Sequence, residues 1–195
     1  MKSSRATAVL AMALLSAPAL LSAQENKSAP PTPVLTAPQA GGIRAEMVRQ
    51  IQDAEKKLLA LAEATPADKF AWRPVQGVRS TGEVFLHVAG GNYFLPTLWD
   101  VKPPEGIDLR GIEKNAGDKA KVIEAMKKSF DHARQAILSA PEAEMERNVK
   151  IFGRDGTMRE AFLMIPIHAH EHLGQSIAYA RMSGITPPWS KGGGE

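Results

Sequence analysis

His168-Ala169-His170-Glu171-His172-Leu173-Gly174-Gln175 packs three of the chain's five histidines into five residues. Read as a helix at about 100° per residue, the run puts His168 and His172 on one face a turn apart, close enough for both imidazoles to grip one metal ion. His170 points to the opposite side. Two histidines four apart also occur as an ordinary surface pair on a helix, so a third ligand elsewhere decides between the readings.

Working outward, the segment carrying the run is helical for a longer stretch. Thr157-Met158-Arg159-Glu160 has the pattern of a capping box. The helix it opens should continue to about Ser183 and stop at Gly184, with Pro187 and Pro188 beyond. Pro166 lies inside it and leaves the carbonyl of Phe162 without its helical donor. Met164, Glu171, Gln175 and Tyr179 share the face of the histidine pair. A plain bundle core would be apolar there, so this mixed face points to a site.

Three further helices are legible. Ile43, Met47, Ile51, Ala54, Leu58 and Leu61 recur at steps of three and four, the stripe of an amphipathic first helix. Thr65 is placed to cap a short turn opened by Pro66. Ser80-Thr81-Gly82-Glu83 is a second capping box and predicts a helix to about Leu95. His87 lies inside it, sharing a face with Gly90, Gly91 and Phe94. Mid-helix glycine costs about 1 kcal/mol against alanine, so the adjacent pair implies close approach of either a neighbouring helix or a ligand. Asn115 and Asp118 start the third long helix, whose stripe of Val122, Ile123, Met126, Phe130, Ala133 and Ile137 ends before Pro141. His132 lies off that stripe and is expected to face solvent. The stretch from Glu146 to Gly153 reads as a short extended segment before an Asp155-Gly156 turn, too little to build a sheet. The fold class is all-α.

The ends of the chain read differently. Lys2 and Arg5, the apolar stretch from Ala6 to Leu15 and the small residues Leu21-Ser22-Ala23 have the form of a signal peptide, residues 1–23, which implies export to the periplasm or the extracellular space. Ser16 and Pro18 break the apolar stretch well short of the roughly 20 residues that span a bilayer, so no stable membrane anchor is expected. Residues 24–42, with Pro30, Pro31, Pro33 and Pro38, read as a disordered tether. Residues 43–190 form one domain, and 191–195 a flexible tail. The balance of 24 Lys+Arg against 21 Asp+Glu falls to 22 against 21 without Lys2 and Arg5, and no basic stripe with interleaved aromatics indicates nucleic acid. With no cysteine the chain has no disulfide and no thiol nucleophile of its own.

If helices two and four are neighbours, His87 joins His168 and His172 as three neutral imidazoles with coordination positions left open. Such an ion activates a bound water or substrate thiol. Glu171 is the candidate to move the proton, and Gln175, Tyr179, Gly90 and Gly91 are the candidate substrate contacts.

Three segments then resemble a known family: Trp72-Arg73-Pro74 through Gly77-Val78-Arg79-Ser80, Glu83 through Ala89 around His87, and His168 through Gln175 continuing to Arg181, Gly184 and Pro187-Pro188. They resemble the DinB-like superfamily of metal-binding four-helix bundles, which includes the YfiT-like proteins. The chain departs from the family pattern at Glu171 and Leu173, where many members carry further histidines or an arginine. The resemblance implies an up-down-down-up bundle with a long connection between helices two and three, a divalent transition metal, Zn²⁺ or Ni²⁺, and a homodimer. Some relatives look like transferases that join small thiols to electrophiles, others like metal-dependent hydrolases. The expected function is therefore an exported metal-dependent hydrolase or thiol-dependent transferase acting on a small molecule. A non-catalytic metal- or ligand-binding bundle is the alternative.

Overall fold

The structure, a computed structural model, describes residues 41–190. The signal peptide, nearly all of the tether and the tail 191–195 lie outside the described residues. Four long helices dominate: α1 Gly42–Ala64, α2 Thr81–Phe94, α3 Lys119–Ser139 and α4 Met158–Met182. One hairpin, β1 Asn148–Ile151 paired antiparallel with β2 Arg154–Thr157, sits between α3 and α4 in sequence. Among the described residues no helix is long and apolar enough to cross a membrane.

α1 and α3 are amphipathic and bury one stripe each, Met47, Ile51, Ala54, Leu58 and Leu61 on the first and Val122, Met126, Phe130, Ala133 and Ile137 on the third. Ile123 is only partly buried. α2 is apolar almost all round, with Val84, Phe85, Leu86, Val88 and Ala89 buried. It therefore needs cover on every side, and receives it from α3, α4 and the short 3-10 turns at Leu95–Trp99 and Ile112–Asn115. α1 packs on α3 and α4, and so does α2.

Side-chain contacts fix the directions. Arg44, at the start of α1, donates to the carbonyl oxygen of Ala140 just past α3, and Lys119, at the start of α3, donates to the carbonyls of Glu63 and Thr65 at the end of α1. These two helices are antiparallel. Gly82 faces the Ala116 carbonyl before α3, and Asn92 donates to the Ser129 hydroxyl further along it, so α2 and α3 run in parallel. His87 meets His172 and Gly91 meets the earlier His168, so α4 is antiparallel to α2. The order is up-down-down-up. The long connection between the two parallel helices follows necessarily, because the chain must return the length of the bundle.

Several local expectations are corrected. Thr65 does not cap the turn at Ala67–Lys69; its hydroxyl donates to the Leu61 carbonyl and closes the end of α1 instead. Ser80 and Glu83 form the full capping box, whereas Thr157 accepts from the Glu160 amide without reciprocation, since the Glu160 carboxylate is drawn to Arg154. The hairpin turn is Phe152-Gly153, both with positive φ (48° and 87°), and Asp155-Gly156 lies within β2. Val149 and Ile151 are buried, and that demand sets the register over the usual turn preference of an Asp-Gly pair. His132 does not face solvent: its ring packs 5.3 Å from that of Tyr93, and burial pushes its pKa down.

Candidate metal centre

Packing of α2 against α4 brings His87, His168 and His172 together. Their ring centroids are 5.0 Å (His87 to His168), 4.7 Å (His87 to His172) and 4.6 Å (His168 to His172) apart. One ring nitrogen of each lies within 4.8 Å of the others. Among the described residues this is the one group of three such donors.

Gly91 explains how His168 gets there. A Cβ at position 91 would stand 2.5 Å from His168 Nδ1 and closer still to its Cε1, so the imidazole lies directly on the α2 backbone. The glycine thus makes room for a side chain of the neighbouring helix. Gly90 meets only a methyl of Ile112.

Two of the rings are oriented by acceptors on their Nδ1 side. The Gln175 amide donates through Nε2 to the Tyr179 hydroxyl (3.1 Å), which turns its Oε1 to His172 Nδ1 at 2.8 Å. That assignment makes Nδ1 the protonated nitrogen of His172 and leaves Nε2 with its lone pair. Tyr179 is buried edge-on against Trp72, which anchors the relay. Glu113 Oε1 lies 3.4 Å from His87 Nδ1, long for a full hydrogen bond but close enough to favour the same tautomer, and Arg79 donates to the same carboxylate at 3.0 Å. The sequence reading missed Glu113. It carries no local signal, since it comes from a 3-10 turn 26 positions from His87.

The electrostatics favour neutral rings. Burial pushes His168 down to about 4, assisted by His172, His87 and Arg79. His87 is also lowered, first by burial, then by Arg79 and His172, against the opposing pull of Glu113. Buried Nδ1 of His168 has no hydrogen-bond partner in the protein. Imidazoles held neutral at His87 and His168, with one ring nitrogen of each of the three histidines within 4.8 Å of the others, fit a divalent transition ion, whose ligands must be deprotonated.

A cavity of about 700 Å³ opens beside this group, lined by His87, His168, Gly90, Gly91, Glu113 and Glu171 at its polar part. His172, Gln175 and Tyr179 are not among its lining residues. Gln175 and Tyr179 therefore stand behind His172, where they orient its ring. His170 is half-buried on the other side of α4, with Nε2 unpartnered.

The sequence model of the DinB superfamily matches residues 50–176, well over half of the chain. The chain belongs to the DinB superfamily. Its bundle is similar to the crystal structure of a DinB-like protein from Bacillus cereus ATCC 10987, with a TM-score of 0.60 at 13% identity, covering 74% of this chain and 95% of that one. At that identity the likeness is one of fold. A DinB-like protein from Bacillus subtilis gives a TM-score of 0.47 at 16% identity, over 72% of this chain and 94% of that one. No curated protein matches the chain. In this DinB bundle the three histidines could hold a metal ion, and all lie in the portion that the family model matches.

Proposed function

We propose that this DinB-superfamily chain is a metal-dependent enzyme, a hydrolase or a thiol-dependent transferase, with His87, His168 and His172 as the ligands of a divalent zinc or nickel ion. The observation that carries the proposal is the convergence of three imidazoles beside an open cavity, two of them turned by Glu113 and Gln175. Three protein ligands leave room for a reacting molecule, the arrangement of a reactive site as opposed to a closed structural one.

When bound, such an ion supplies Lewis acidity, bringing deprotonation of a water or thiol toward neutral pH. The protein residues do the rest. Glu113 and Gln175 hold the Nδ1 protons of His87 and His172, so both rings keep one tautomer and one orientation. Glu171 lines the cavity one residue before His172, and its carboxylate receives the proton released by the nucleophile. Residues 1–23, with Lys2, Arg5 and the Leu21-Ser22-Ala23 site, direct export in this proposal, so the reaction takes place in the periplasm or outside the cell.

Elemental analysis of the purified protein beside a His168→Ala, His172→Ala variant is the test. We expect about one zinc or nickel per chain in the parent and none in the variant. Metal retained by the variant would overturn the ligand assignment. The loaded and metal-free proteins are then compared on aryl esters and on thiol-electrophile pairs. Stoichiometric metal without metal-dependent turnover on either panel would leave a binding bundle and reject the enzyme.

A further inference from the structure

The cavity beside the histidines has a second part that the metal chemistry does not use. Away from the histidines its walls are apolar, formed by Phe94, Phe152, Leu109, Ile112, Leu163 and Ile167. At about 700 Å³ it falls in the range that holds drug-sized molecules, roughly 300–1,000 Å³. Three of the apolar groups stay well exposed, Phe94 at 42%, Phe152 at 63% and Ile167 at 61%. Phe94, at the end of α2, and Phe152, at the hairpin tip, stack with their planes 18° apart and centroids 6.1 Å apart, making one aromatic wall. Exposed apolar groups gathered at the mouth of a cavity mark a place where something else is bound.

Phe152 is a costly residue for its position. The two-residue turn 152–153 has φ of 48° and 87°, a pattern that Asn-Gly satisfies and a bulky side chain resists. Its ring gains little from burial in the protein itself. A strained backbone beneath an exposed ring that lines a cavity points to a role for that ring in holding a ligand.

Charge narrows the ligand class. Arg154 is the only Lys or Arg among the described lining residues, and its guanidinium is bound to Glu160 at 2.5 Å. The remaining charged lining groups, Glu113 and Glu171, are carboxylates, and Arg79 is already paired with Glu113. Away from the histidines and any ion they hold, an anionic molecule meets no unpaired Lys or Arg on the lining. An uncharged one meets mostly carbon.

We propose that this cavity binds an uncharged compound with a flat apolar body, seated on the Phe94–Phe152 wall, whose one small polar group, a carbonyl or hydroxyl, reaches the histidine end. The placement of the polar group rests on the metal site proposed above; the seat of the apolar body does not. The apolar wall suits hydrolysis of an apolar ester or lactone.

The test is fluorescence titration of the purified protein with the uncharged probe N-phenyl-1-naphthylamine, followed by displacement. Binding of one probe per chain is expected, with displacement by 2-acetylnaphthalene and none by naphthalene-1,5-disulfonate. Phe152→Asn keeps the backbone that the turn requires, so it should fold at least as well while weakening probe binding about tenfold. The chelator-treated parent should bind the probe as the zinc-loaded parent does, because the apolar walls lie away from the histidines, and loss of binding on chelation would overturn the seat of the apolar body. Zinc analysis of the parent thus reports on the metal site separately from the pocket. On zinc-loaded protein, 2-acetylnaphthalene should displace at lower concentration than 2-ethylnaphthalene, and equal potency would overturn the placement of the polar group. Absence of saturable binding, equal displacement by the disulfonate, or unchanged affinity in Phe152→Asn would overturn the pocket. A parent dimer that Phe152→Asn dissociates, seen by sedimentation together with loss of the probe site, would assign the patch to a second copy instead and overturn it too.

Discussion

Gly91 and His168 act as one device at the residue scale. The ring can lie on the α2 backbone only because position 91 has no Cβ, and only there does it meet His87 and His172. Gly91→Ala should improve intrinsic helix propensity yet destabilise the protein by about 1–3 kcal/mol, because the added Cβ overlaps the His168 ring and forces it out of its place on α2. The displacement should also weaken metal affinity by at least the roughly 10–100-fold seen when ligand orientation is disturbed. Thermal unfolding and a zinc titration check the two effects, and an alanine variant with unchanged affinity would show that His168 tolerates another position. Gly90→Ala, against a single methyl of Ile112, should leave both properties nearly unchanged.

The elements of the bundle are set by their ends as much as by their faces. α2 has no amphipathic stripe because its buried residues surround it, so its reciprocal Ser80–Glu83 box carries the local signal for its start. The box holds the Glu83 carboxyl below its usual range, chiefly through the Ser80 backbone N–H. Ser80→Ala should cost about 1 kcal/mol, read as a lower urea midpoint at unchanged slope. The hairpin teaches the converse. Asp155-Gly156 has the composition of a turn and Phe152-Gly153 does not, yet burial of Val149 and Ile151 moves the turn forward. Propensity yields there to the register that keeps two apolar side chains inside.

For the whole molecule, burial of histidines links stability to pH. His168, His87 and His132 all have folded-state pKa values below the 6.5 of the free side chain. Below pH 6.5 the unfolded chain takes up protons that the buried rings refuse, so it binds more protons than the folded one and is favoured. The metal-free protein should therefore be most stable above pH 6.5 and lose stability as the pH falls toward 4. His168 contributes about 2–3 kcal/mol of that loss. Urea unfolding at pH 7.5, 6, 5 and 4 measures it, and a His168→Ala variant should show a shallower decline. A parent protein equally stable at pH 7.5 and 4.5 would mean that the histidines are not held neutral by the fold.

The sequence by itself determined the four helices, their approximate ends and the three histidines, because helical periodicity, capping boxes and i, i+4 spacing act over a few residues. It also carried the family resemblance through ordered segments around His87 and His168. Only the tertiary structure decided what those histidines have around them. Glu113 and Arg79 reach His87 from connections, Gln175 turns out to orient a ring in place of lining the cavity, and His132 is covered by Tyr93 of another helix. Phe152 meets Phe94 from a hairpin more than fifty positions away. Such contacts depend on where loops return to the bundle, and loop paths follow from packing of the whole core, which no local pattern records.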